Sequence, residues 1–174
     1  MNEKEAIEKA TSDAFIKLYN SEMGTILSIV EYSDAPDIRC KDQDENVFNF
    51  EITLTEDRQG DIRAALGRSD DRNLESFKKH CEEVKAGKAN PLAWLSCSQG
   101  EVKKIIVSRI QSKLDKDYGP NIALVVRHVS GVDWNWDWDW NREQIVDSLD
   151  LERQPFDKGV WVMSSSEDRI FRLL

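Results

Sequence analysis

Apolar and polar positions alternate along the chain in patterns that mark its elements. Over residues 3–20, Ile7, Ala10, Ala14, Phe15 and Leu18 recur at helical spacing and make one apolar stripe. Gly24 closes that helix. Extended runs follow over residues 25–32, 37–40 and 47–55, separated by polar turns at 33–36 and 42–46. In the last run Phe48, Phe50, Ile52 and Leu54 share one side of a strand, and Val47, Asn49, Glu51, Thr53 and Thr55 share the other. The even-numbered side is the expected core face, so Glu51 and Thr53 project together from the opposite one.

Residues 56–69 are polar, with Gly60 and Gly67, and predict a long exposed loop. A polar helix is expected over 73–85 and another helix over 100–117, closed by Gly119-Pro120. Ile122, Leu124, Val125 and Val126 make 121–129 apolar on both sides, as a central strand requires. A short helix over 141–149, with Asn141 and Gln144 placed as a capping pair, precedes two closing strands at 158–164 and 169–173. With no internal repeat or low-complexity linker, residues 1–174 are expected to form a single α/β domain, a mixed central sheet flanked by helices.

Composition narrows the class of molecule. Hydrophobic residues at 40% and charged residues at 33% are the proportions of a folded globular chain. Since no apolar run approaches the roughly 20 residues of a membrane span and the N-terminus lacks a signal pattern, a cytoplasmic protein with no membrane partner is expected. Cys40, Cys81 and Cys97 are widely spaced and odd in number, and His80 and His128 are the only histidines. Buried free thiols therefore fit better than a zinc site or a disulfide framework. The net charge of −9 argues against attachment to nucleic acid by bulk positive charge, though an acidic metal site beside a local basic groove is compatible with it.

The chemistry concentrates on two acids. Asp37 opens one strand and Glu51 sits inside the next. If the strands pair across the 42–46 turn, both carboxylates reach one sheet face. Two hard oxygen ligands so placed suit Mg²⁺ or Mn²⁺, which would hold a scissile phosphate and activate a water. Thr53, two residues beyond Glu51 on the same side, would stand beside that water. On the 100–117 helix Val102, Ile105, Ile106 and Ile110 form the expected inner face. Lys113 falls among them and Arg109 lies at their edge. A lysine so placed must either snorkel to water or meet buried acids.

Pro36-Asp37, thirteen residues, then Glu51-Ile52-Thr53 resembles the PD-(D/E)XK nuclease-like superfamily. The likeness is nearest to uncharacterised bacterial members reading "PDF…EVT", and it extends over the order of elements from the first helix to the strand at Ala123. It implies a restriction-endonuclease-like fold and metal binding by Asp37 and Glu51, with Glu8 on the first helix as a supporting ligand. It also implies divalent-metal-dependent phosphodiester hydrolysis. The departure is Thr53, where the superfamily usually carries lysine. Threonine brings no positive charge to a pentavalent phosphate, and Lys113, on a neighbouring helix, is the expected replacement.

Two further stretches bear on partners. Trp134, Trp136, Trp138 and Trp140 alternate with acidic and amide residues, so an extended segment would present all four indoles on one side. Such a row can cover the core beside Phe156 and Trp161, anchor a protein partner, or stack on bases. The intervening acids favour the first two. Residues 58–88 mix basic and acidic side chains beside the candidate site, as a solvated face or a phosphate-contacting one would. The alternative to a nuclease is thus a non-catalytic, acidic interaction or immunity-type protein on the same scaffold, binding through the tryptophan segment.

Overall fold

The computed structural model describes residues 3–55, 82–83, 85–88, 99–128, 138–164 and 169–174, with helical side chains described from residues 6, 102 and 141 onward. Helix α1 spans Glu3–Met23, and Gly24 follows it with φ 63°, the left-handed geometry that ends a helix without strain when no Cβ is present. Strands β1 (Ser28–Tyr32), β2 (Ile38–Lys41) and β3 (Val47–Leu54) form an antiparallel meander. Helix α2 covers Gln99–Leu114 and leads to β4 (Ile122–Arg127), which lies parallel to β3. Helix α3 (Trp138–Asp147) precedes β5 (Val160–Met163), parallel to β4, and β6 (Ile170–Arg172) closes the edge antiparallel to β5. The six strands form one mixed sheet in chain order, β1 to β6.

Strand alternation sends side chains to two apolar layers. On one side Phe15, Ile16 and Tyr19 of α1 pack against Phe50, Ile52, Ala123, Val125, Trp161 and Met163. On the other, Val102, Ile106, Ile110 and Leu114 of α2 and Ile145 of α3 cover Ile122, Leu124, Val126, Val160 and Val162. Ile122 through Val126 are fully buried, so β4 is the central strand that its continuous apolar sequence predicts. The result is a mixed α/β sheet flanked by helices. Among the described residues no helix is long and apolar enough to cross a membrane.

Several expectations need adjustment. Both faces of β3 are covered, and Glu51, assigned to the side opposite the core, is only 5% exposed because α2 lies over it. Ile105 is 37% exposed, at the margin of the α2 stripe that Val102, Ile106 and Ile110 define. Helix α3 starts at Trp138, so Asn141 is interior to the helix and buried, and Gln144 accepts a hydrogen bond from Lys103 of α2 in place of acting as a cap partner. The same start makes the backbone at Trp138 and Trp140 helical, which ends the extended alternation expected of the tryptophan row. Trp134 and Trp136, the polar loop 56–69, His80, Cys81 and Cys97 lie outside the described residues. So does most of the 73–85 helix, of which Glu82, Glu83 and Lys85 are helical. Cys40 is a buried free thiol, as expected.

Candidate functional site

Asp37 stands one residue ahead of β2, at the exit of a turn in which the Ser33 N–H donates to the Asp37 carbonyl at 3.0 Å. The β2–β3 register pairs Ile38 with Phe50, which sets Asp37 across from Glu51 and on the same face. Past the end of β2, Ile52 falls opposite Pro36, whose carbonyl accepts from the Ser33 hydroxyl instead. The Asp37 carboxylate accepts the Ile52 N–H through Oδ2 at 2.6 Å. A charged acceptor on a backbone donor makes a strong bond. It also fixes this carboxylate beside that of Glu51.

Opposite them, the last turn of α2 brings Lys113 inward. Its ammonium donates to Oε1 of Glu51 at 2.7 Å, with side-chain exposures of 18% for the lysine and 7% for the glutamate. The lysine therefore meets a buried acid and does not snorkel to water. Arg109, one turn earlier, is half-buried. Thr53 lies two residues beyond Glu51 on the same side of β3, half-buried and in register with Val126.

The electrostatics of the two acids are coupled. Burial pushes the Asp37 carboxyl up to about 7; the Ile52 N–H opposes the rise, the charges of Glu51 and Glu8 add to it, and the Lys113 ammonium counters it. Glu8 is thus within electrostatic reach of Asp37. Among the described residues, however, no three His, Cys, Asp or Glu side chains converge closely enough to hold a metal ion by themselves. Glu51 keeps one oxygen without a partner: Oε2 is buried and makes no hydrogen bond.

A fifth residue belongs to the cluster and was not singled out from sequence. Tyr118 follows α2, and its ring packs against Phe156 at 5.3 Å between centroids. Burial raises its phenol pKa, the charge of Glu51 and a contact of the hydroxyl with the Glu51 carboxylate raise it further, and the charge of Asp37 adds to them. The hydroxyl lies within reach of the Glu51 carboxylate. Yet neither it nor Oε2 completes a hydrogen bond of good geometry, and both atoms are buried. The available sequence signal was an aromatic residue wedged between an inward lysine and Gly119-Pro120, ahead of the most apolar strand.

The structure therefore joins Asp37, Glu51, Lys113 and Tyr118, sets Thr53 on their face, and leaves Glu8 as a charge nearby. Of the 58–88 segment, only 82–83 and 85–88 lie within the described residues. Comparison with protein-family models, curated proteins and solved structures returns no match to this chain.

Proposed function

We propose that this chain is a divalent-metal-dependent nuclease-like hydrolase of phosphodiesters. It would be built on a PD-(D/E)XK-type scaffold whose cationic group has moved from position 53 to Lys113. The observation that carries the reading is the Lys113 ammonium 2.7 Å from a 93%-buried glutamate side chain that shares its sheet face with Asp37. Burying a charge is costly unless it is paired. Two acids and one lysine gathered on one sheet face under α2 make up the charge set that such a site uses.

The donor set suits Mg²⁺ or Mn²⁺. Such ions are held by one or two carboxylates, with water and substrate phosphate completing the shell, so a full protein cage of three acids is not required. Glu51 retains an unpartnered buried oxygen, and Asp37 keeps Oδ1 outside its bond to Ile52. Asp37 and Glu51 would hold the cation, with Glu8 adding negative potential from α1. When bound, the cation would supply charge neutralisation at the phosphate and a water acidified toward neutral pH. Asp37 must lose its proton before it can serve. Lys113 would exchange its contact with Glu51 for a phosphate oxygen and meet the charge that builds there. Thr53 would orient water by hydrogen bonding and bring no charge of its own.

The test is a melting curve with and without Mg²⁺ or Mn²⁺, run beside cleavage assays on single- and double-stranded DNA and RNA. The expected result is a metal-induced rise in Tm and metal-dependent cleavage, both lost in Glu51→Ala. A wild-type protein that ignores both metals would sink the proposal. If it also bound a protein partner through Trp136 and Trp138, the non-catalytic reading would take its place.

A further inference from the structure

The buried end of the site holds two polar atoms that lack partners at the same time, Oε2 of Glu51 and the hydroxyl of Tyr118. Buried carboxylate oxygens and phenols are nearly always hydrogen-bonded, because leaving either one desolvated and alone is costly. Here an acceptor and a donor are orphaned beside each other. The acceptor belongs to a residue only 5% exposed, and its other oxygen is already taken by Lys113. The donor sits on a ring held by Phe156, on the α2 side of the sheet where Glu51 also points. The Tyr118 hydroxyl lies within hydrogen-bonding reach of the Glu51 carboxylate.

We propose that Tyr118 is the positioning residue for Glu51. Its hydroxyl would donate to one carboxylate oxygen and fix the rotamer when Lys113 releases the other. The inference rests on the nuclease reading above, in which Lys113 leaves Glu51 for phosphate. A buried glutamate abandoned by its ammonium would otherwise be free to swing. A phenol restrains it without cancelling its charge, so the affinity of the carboxylate pair for a cation survives the exchange. Carboxylates that bind metals are commonly held in this way by an outer hydrogen bond, and losing that bond typically weakens metal affinity by about 10- to 100-fold.

The experiment is Tyr118→Phe in the full chain, which removes one oxygen and keeps the ring. Mn²⁺ affinity is read from the free-ion paramagnetic resonance signal, and the Tm of the metal-free protein is read in parallel. The expected result is a metal-free Tm close to wild type with Mn²⁺ bound about 10- to 100-fold more weakly. A purely structural tyrosine would lower the metal-free Tm and leave Mn²⁺ affinity unchanged; that outcome overturns the inference while the metal reading stands. Wild-type protein that binds no Mn²⁺ overturns both. Should the variant melt early, 3-fluorotyrosine labelling gives a second readout, with the Tyr118 fluorine resonance expected to move on adding Mg²⁺. A resonance that stays in place in a metal-binding protein overturns the inference.

Discussion

The contact between Lys113 and Glu51 sets the energetics at the scale of single residues. Removing one partner of a buried pair leaves an uncompensated charge, at a cost of about 3–5 kcal/mol. Lys113→Met should therefore destabilise the protein by about 3 kcal/mol at pH 8. Denaturant melts of the variant beside the wild type check this. Asp37 behaves differently, because its folded-state pKa of about 7 lies above the unfolded value of 3.8. Between those values the folded chain holds a proton that the unfolded chain has already lost, so stability falls as pH rises from about 4 to about 7 and levels off beyond. Asp37→Asn should flatten that stretch of the stability profile. The same proton competes with a cation, so the Mg²⁺-induced rise in Tm is expected to be larger at pH 8 than at pH 6. An equal rise at both would show that Asp37 is not a ligand.

Among the elements, α2 carries both a core stripe and the lysine of the candidate site. Its inward stripe of Val102, Ile106, Ile110 and Leu114 lies on the sheet, and Lys113 falls within the same stripe. Helical spacing made that placement legible from sequence, since Lys113 follows Ile110 by three residues and Ile106 by seven. The margin of the stripe was less legible. Ile105 is apolar and adjacent to Ile106, but one step of about 100° carries it past the edge into solvent. Ile106→Ala should cost about 2–5 kcal/mol by opening a cavity between α2 and β4. Ile105→Ala should change stability by less than about 0.5 kcal/mol. Similar losses for the two would contradict the orientation of α2. At α3 the sequence misled for a physical reason: Asn141 and Gln144 have capping spacing, but the helix begins at Trp138 and draws Asn141 into the interior.

At the scale of the whole molecule, charge and layering frame the function. A net charge of −9 leaves little bulk attraction for a polyanion, so under the proposed function nucleic-acid binding would depend on a cation and on the few basic groups at the site. Binding measured with Ca²⁺ in place of Mg²⁺ should show a log–log salt slope shallower than about −5, the value that six phosphate contacts would give. A slope that steep would point to an extended basic surface. The sequence by itself determined the order of elements, the central strand Ile122–Arg127 and the common face of Glu51 and Thr53, because the periods of helix and strand are local properties of the chain. It also marked Lys113 as inward. Only the tertiary structure decided what Lys113 meets, that α2 buries Glu51, that the Asp37 carboxylate receives the Ile52 N–H, and that Tyr118 lies beside the same carboxylate. Those facts depend on strand register and on one layer lying over another, which bring residue 51 against residues 113 and 118 across more than sixty positions of chain.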